Sequence, residues 1–414
     1  MINRSIAVYA DWSLGRDPMP LGTLEPRSGR SREIFSFEFS QRAVGDPTLA
    51  KQQLDSDLGL FAGPQDPREG RAQFGMFSDS SPDRWGRRLI DRSFARRRRA
   101  GELPSNARPT ESDYLLGVHD GFRSGALRYK LEDRGAFLAD GIPSAAPPFV
   151  RLRELEAASQ ALEEGVGDNP QLDAQLLLLL APGASLGGAR PKATVSDPDG
   201  NLWIAKFPSR GDRYDTGAWE YVVHQLALRS GIRVSEAQAG RFSDNGHTFL
   251  VRRFDREGVE GRIHYASAMT LTGHVDGDDA SYLEIAEVIA SQGAAAKADL
   301  EELWTRIAFN VLVSNTDDHL RNHGFLLAPN GWRLAPAFDM NPNPTGTGLA
   351  LDIDENDNTL DLDLVRSVAR YFRVSKPDAI LDRLDSVIST WRDVAQSVGI
   401  PQSEQDALAL AFRK

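Results

Sequence analysis

The sequence predicts an α+β fold, and three stretches predict it. Near the N-terminus short apolar runs alternate at period two, most clearly Phe35, Phe37 and Phe39 within Glu33 to Phe39. Midway, a small-residue loop, Gly183 to Ala189, leads into two short strands, Lys192 to Val195 and Leu202 to Phe207, joined by the turn Asp197-Pro198-Asp199-Gly200. From about residue 265 helices dominate, and Leu300, Leu303, Trp304, Ile307, Ala308 and Val311 share one helical face.

The elements follow in order. Ile6/Val8 and Leu21 to Leu24 read as strands beside the Phe35 strand, and Trp85, Leu89, Ile90 and Phe94 then recur at helical spacing. Asp140 to Pro148 has linker composition, so the expected division is 1–145, β-rich then helical; 146–264, loop and strands; and 265–414, mainly helical. After the paired strands, Trp219, Val222, Val223 and Leu226 mark a helix that Asp215 or Thr216 could cap and Gly231 could end. Thr248 to Val251 is a strand leading into Arg252-Arg253-Phe254-Asp255. Finally Phe325 to Leu327 and Trp332 to Leu334 form a hairpin that returns Asp339 toward Asp317.

Gross properties bound the function. A chain of 414 residues has room for two or three cored domains. Its net charge of −11 argues against a surface that binds nucleic acid throughout, leaving room only for a local patch such as Arg96 to Arg99. The usual meaning of such a run is a solvated helix end, the favoured reading here. The absence of cysteine removes disulfides, thiol nucleophiles and thiolate metal sites. The longest apolar run, Leu176 to Ala181, falls far short of the roughly 18 residues that cross a bilayer, and no apolar leader opens the chain. A cytoplasmic protein without a membrane partner is expected.

The polar motifs form an ordered set: a glycine loop, Lys206 at the end of an apolar strand, Glu220 on a helix, Asp317 and Asn322 five apart, and Asp339 after a hairpin. This is the order of a protein-kinase active site. Small residues at Gly187, Gly188 and Ala189 would let backbone N–H groups approach phosphates of ATP. Lys206 would neutralise their oxygens and Glu220 would hold Lys206 by an ion pair. Asn322 and Asp339 offer the hard oxygens that suit Mg2+, and Asp317 is the carboxylate left to take the acceptor's proton. Two other patterns fail. Ala189-Arg190 stands where a Walker loop needs Lys-Ser/Thr, and His319/His323 lack a third zinc ligand nearby.

At these residues the sequence closely resembles the HipA family of bacterial toxin–antitoxin serine/threonine kinases. The matching segments are Ser185 to Lys192, Ile204 to Pro208, Val251 to Arg256, Asn315 to Asn322 and Pro336 to Asp339, with Phe77 to Arg87 and Gly125 to Tyr129 in the N-terminal part. The resemblance implies a two-lobed protein-kinase-like core, with a mixed N-lobe and a mainly helical C-lobe, behind an N-terminal subdomain. It implies ATP and Mg2+ as cofactors, Asp317 as catalytic base, Asn322 and Asp339 as metal ligands, and Lys206 at ATP. It further implies Arg252, Arg253 and Phe254 as the adenine hinge, His319 beside the phosphates and Ser185 as an inactivating autophosphorylation site. Family members pair with a small helix-turn-helix antitoxin of the HipB type that binds operator DNA, and aminoacyl-tRNA synthetases are among their protein substrates.

Departures are visible too. Arg252 is basic at a hinge position, Asn315-Thr316 replaces His-Arg before the catalytic aspartate, and Met340-Asn341 replaces Phe-Gly after Asp339. Asp317-x-His319-x-x-Asn322 also resembles the catalytic loop of phosphoinositide kinases, so lipid or small-molecule phosphorylation stays open. So does a non-catalytic co-repressor that partners an antitoxin.

Overall fold

The computed structural model describes residues 5–12, 17–29, 32–131, 135–138, 146–165, 170–184, 188–258 and 261–413. The chain is α+β and divides into two compact units. The first comprises 1–211, 242–245 and 252–266; the second comprises 212–241, 246–251 and 267–414.

In the first unit, β1 (Ile6–Ala10), β2 (Met19–Ser28), β3 (Glu33–Phe39) and, beyond helix α1 (Arg84–Arg99), β4 (Leu127–Lys130) form an antiparallel sheet in the order β3-β2-β1-β4. Register sets Ile6 against Leu24, Leu24 against Phe37 and Val8 against Tyr129, so one face collects these side chains and buries them. The Phe37 ring meets Phe39 at 4.9 Å and Phe77 at 5.1 Å. On α1, Trp85, Leu89 and Ile90 are buried as their spacing predicts, whereas Phe94 is half-buried under the Arg97 guanidinium.

Two helices not singled out in the sequence follow, α2 (Leu152–Glu164) and α3 (Asp173–Gly183). The continuous leucines of α3 carry no 3.6-residue period, so periodicity is silent there. Strands β5 (Lys192–Ser196) and β6 (Leu202–Lys206) then pair as a hairpin, with Val195 opposite Trp203 and Lys192 opposite Lys206.

In the second unit, α4 (Thr216–Arg229) is capped by Asp215, whose Oδ1 accepts from the Ala218 amide at 3.2 Å and the His247 amide at 2.8 Å. Gly217 is required there: a Cβ would lie 2.0 Å from the His247 carbonyl oxygen. Strands β7 (Ala237–Ser243) and β8 (Gly246–Arg252) pair next. Helices α5 (Tyr282–Gln292) and α6 (Ala296–Val313), the hairpin β9 (Gly324–Ala328) and β10 (Gly331–Leu334), and α7 (Pro377–Ile388), α8 (Trp391–Val398) and α9 (Gln402–Leu408) are among its other elements. The expected face of α6 is buried, but so are Phe309, Leu312 and Val313, which makes α6 the central helix of this unit. Among the described residues no helix is long and apolar enough to cross a membrane.

A buried charge cluster holds the first unit together. Arg253 donates to both oxygens of Asp255 at 2.9 and 2.6 Å and to the Phe122 carbonyl at 2.6 Å. Arg256 and the Gly125 amide add bonds of 2.8 Å each to Asp255 Oδ2. Burial pushes the Asp255 carboxyl up, but Arg253 and Arg256 outweigh it and hold it far below the usual carboxylate range. Asp255→Ala strands two buried guanidinium groups and should cost about 3–5 kcal/mol in denaturant unfolding. A loss below about 1 kcal/mol would show the cluster to be dispensable.

Candidate active site

Helix α6 delivers the central loop. It ends on Ser314, fully buried and left-handed at φ 49°, which turns the chain sharply into Asn315-Thr316-Asp317-Asp318. The two aspartates then separate: Asp317 is exposed and Asp318 is buried. Asn322 closes the loop by donating its amide to the Asp317 carbonyl at 2.9 Å.

Asp318 was not singled out by sequence reasoning, yet it organises the loop. Its Oδ2 accepts from the Tyr282 hydroxyl at 2.5 Å and the Asn310 amide at 2.8 Å, and it bonds His323 Nε2 at 2.8 Å. These donors come from α5, α6 and the start of β9. Burial pushes the Asp318 carboxyl up; His323 and Tyr282 more than compensate and leave it below its ordinary value. Burial and Asp318 push the Tyr282 phenol well above its own, so it stays a donor. The one available signal was a doubled aspartate, since only one can face the reaction.

A chain of amides extends from this hub. Asn310 Oδ1 accepts from Asn315 Nδ2 at 3.1 Å, and Asn315 Oδ1 accepts from the Asn341 amide at 3.0 Å. The Asn343 amide donates to the Ser314 carbonyl at 3.0 Å, and Asn343 Nδ2 donates to Thr316 Oγ1 at 2.7 Å. Residues 341–343, which follow Asp339 by two to four positions, are thus fastened to 314–316. Asp339 is half-buried at φ 59°, a conformation that costs a non-glycine residue about 1–2 kcal/mol. His319 Nδ1 and Asn341 Oδ1 are buried without hydrogen-bond partners beside this cluster. The carboxylate, amide and orphaned oxygens fit Mg2+, which takes few protein ligands and completes its shell with phosphate oxygens and water. His323 Nε2 is engaged on Asp318.

The other predicted residues lie elsewhere. Ser185 and Gly187 fall outside the described residues. Gly188, at φ 85°, donates its amide to Asp83 Oδ2 at 2.6 Å, and its missing Cβ makes room for Lys192 Nζ, 2.6 Å from where that atom would be. Ala189 is exposed beside it. Lys206 stands directly opposite Lys192 on β5. Asp83 and Lys192 are the residues here that motif order did not single out. Glu220 is buried on α4. Of the hinge residues, Arg252 is exposed and bonds Asn201 Oδ1 at 2.9 Å, the Arg253 side chain belongs to the Asp255 cluster, and Phe254 packs 6.0 Å from the Tyr265 ring. The Arg253 backbone N–H donates to the Leu202 carbonyl at 2.9 Å.

Within Arg96 to Arg99, Arg97 pairs with Glu102 at 3.3 Å, Arg98 donates to the Ala107 carbonyl at 3.0 Å and Arg99 pairs with Asp173 at 2.6 Å. These partners, at the C-terminal turn of α1 where cations complement the helix dipole, support the solvated-end reading of the run.

The profile of the HipA-like C-terminal domain matches residues 184–405, more than half of the chain. The chain belongs to the HipA-like family. HipA in the Shewanella oneidensis MR-1 complex of HipA, HipB and operator DNA has a similar fold, with TM-score 0.60, 14% identity and coverage of 97% of this chain and 95% of that one. The protein named "Putative kinase Y4mE" of Sinorhizobium fredii is 27% identical over 258 residues, 56% of this chain and 58% of its own. A Haemophilus influenzae protein named "Putative kinase" is 30% identical over 179 residues, 38% of this chain and 52% of its own. The chain therefore spans about half the length of these relatives. The α+β fold expected of a HipA-like chain is the fold observed.

Asp318→Asn should destabilise this HipA-like chain by about 3 kcal/mol, because three buried groups lose their shared carboxylate. The Asp318 contribution is present above the ordinary carboxylate pKa, about 3.9, and is lost as pH falls through the lower folded value. Unfolding curves of wild type and variant should therefore differ at pH 7 and converge in acid. A constant gap down to pH 2 would rule out the ionised hub.

Proposed function

We propose that this chain is an ATP-dependent protein kinase of the HipA kind, transferring the γ-phosphoryl group of ATP to a serine or threonine hydroxyl. What supports the reading most is the fastening of 341–343, just after Asp339, to 314–316, just before Asp317. Asp317, which is exposed, takes the proton of the acceptor hydroxyl as its oxygen attacks the γ-phosphorus. The bond from that phosphorus to the bridging oxygen breaks, and ADP leaves. Asn322 and Asp339 would hold Mg2+, which supplies charge neutralisation on the phosphates when bound.

The nucleotide-side roles of Gly187, Gly188, Ala189, Lys206, Glu220, Arg252, Arg253, Phe254 and His319 belong to this proposal, as does the division at 1–145, 146–264 and 265–414. So does a toxin role. The Shewanella oneidensis structure contains HipA with HipB and operator DNA, and a HipB-type antitoxin is the partner we propose here, reaching DNA through the complex. In the same reading Ser185 is an autophosphorylation site whose phosphate, at about −1.5 to −2 charge, excludes ATP phosphates from the glycine loop.

Incubation with Mg2+, labelled ATP and cell extract tests the reading. Labelled protein supports it, labelled lipid or small molecule moves the substrate class, and no transfer favours a non-catalytic co-repressor. Asp317→Ala and Asp339→Ala should each lower transfer by more than about a thousandfold, about 4 kcal/mol of barrier. Activity within about tenfold of wild type would remove the assigned roles. Mass spectrometry after autophosphorylation should find phosphate on Ser185, with ATP affinity lost in the modified form; a Ser185-phosphorylated form that binds ATP normally would end the switch.

A further inference from the structure

The chain between Trp391 and Arg413 touches the two elements on which the proposed catalytic groups stand. On one side is α4, which carries Glu220. Glu404 Oε1 accepts from the Asp215 amide at 2.8 Å and from the Trp219 indole Nε1 at 2.7 Å. Its carboxylate therefore sits at the N-terminus of α4, where negative charge is favoured, and grips the residue next to Glu220. The Trp219 ring also packs against Trp391 at 6.0 Å and Phe412 at 5.9 Å, and those two rings stack at 4.3 Å with an interplanar angle of 8°.

On the other side is the entry to the Asp317 loop. The Arg413 amide donates to the Leu312 carbonyl at 2.8 Å, satisfying one of the last carbonyls of α6. Arg413 Nε donates to Ser314 Oγ at 3.0 Å, and its cation lies at the helix end that favours positive charge. Ser314 is the left-handed residue on which the loop turns, three positions before Asp317. The sequence separations, 189 residues from Glu404 to Asp215 and 99 from Arg413 to Ser314, make this a tertiary arrangement that no local motif encodes.

We propose that the 391–413 segment is a clamp that positions α4 and the Asp317 loop together, with Glu404 and Arg413 as positioning residues. This rests on the kinase reading only for its catalytic consequence; the clamp itself is a statement about two elements held by one segment. A misplacement of about 1 Å at a reacting group can cost about a hundredfold in rate, so a small polar tie at each element is enough to matter. The two ties act on different quantities. Arg413 acts on the loop of the base and hence on kcat, whereas Glu404 acts on the helix of Glu220 and hence on the apparent affinity for ATP.

The test uses the full chain with Arg413→Ala, Glu404→Ala and Glu404→Gln. Amide hydrogen exchange, without nucleotide, should accelerate about tenfold at 315–319 in Arg413→Ala and at 217–220 in Glu404→Ala, with the melting temperature within about 3 °C of wild type. Glu404→Gln keeps an oxygen that accepts both N–H groups and should restore wild-type exchange. In the transfer assay Arg413→Ala should lower kcat about tenfold with KM for ATP unchanged, and Glu404→Ala should raise that KM about tenfold. Wild-type exchange at both segments in the alanine variants overturns the clamp whatever the activity. If exchange changes as expected while wild type transfers no phosphate, the clamp stands and the kinase reading falls. Changed exchange with both kinetic constants untouched removes the positioning role.

Discussion

A single buried carboxylate oxygen sets the geometry on which the candidate site depends. Asp318 Oδ2 gathers a tyrosine, an asparagine and a histidine from three separate elements. Because the group is buried, each of these bonds acts where water cannot compete, and removing the carboxylate would strand several polar groups at once. The neighbouring Asp317 is exposed beside this buried hub.

From that hub, order is passed on by side-chain amides. Asn310 and Asn315 each use both their donor and acceptor ends, and the last acceptor holds the backbone of Asn341. An amide is suited to such a relay because it donates and accepts without carrying charge. The strained φ of Asp339 is held by this fastening together with the hairpin that precedes it. Strain of this kind persists only where the surroundings over-determine it, and it clusters at functional sites.

The first unit uses a different device. Its buried ions are arginines whose charge is spread over aspartate oxygens and backbone carbonyls, as for Arg123, which donates to the carbonyls of Ser80, Leu115 and Val118 at 2.7 to 3.1 Å. Arg253 reads in sequence as part of a nucleotide hinge, and its side chain turns out to be part of this framework. Motif position assigned the segment, but burial assigned the side chain. Likewise Arg96 to Arg99 looks like a nucleic-acid patch in a list of charges and looks like a paired helix end once Glu102, Ala107 and Asp173 are in place.

By itself the sequence determined the α+β class, the strand of Phe35, Phe37 and Phe39, the central helix, the hairpin before Asp339, and the kinase-like order of Lys206, Glu220, Asp317, Asn322 and Asp339. All of these are written in local periodicity, turn residues or short spacing, which a linear reading can measure. It missed α3, whose leucines have no period, and it gave Asp318 no role, because burial has no signature in residue type or spacing. Only the tertiary structure decided that Asp318 is buried, that Asp83 takes the Gly188 amide, and that Glu404 and Arg413 reach residues far away in the chain. The physical reason is the same in each case. A hydrogen bond or ion pair between distant residues depends on which groups folding brings within about 3 Å, and that proximity has no signature in either segment alone.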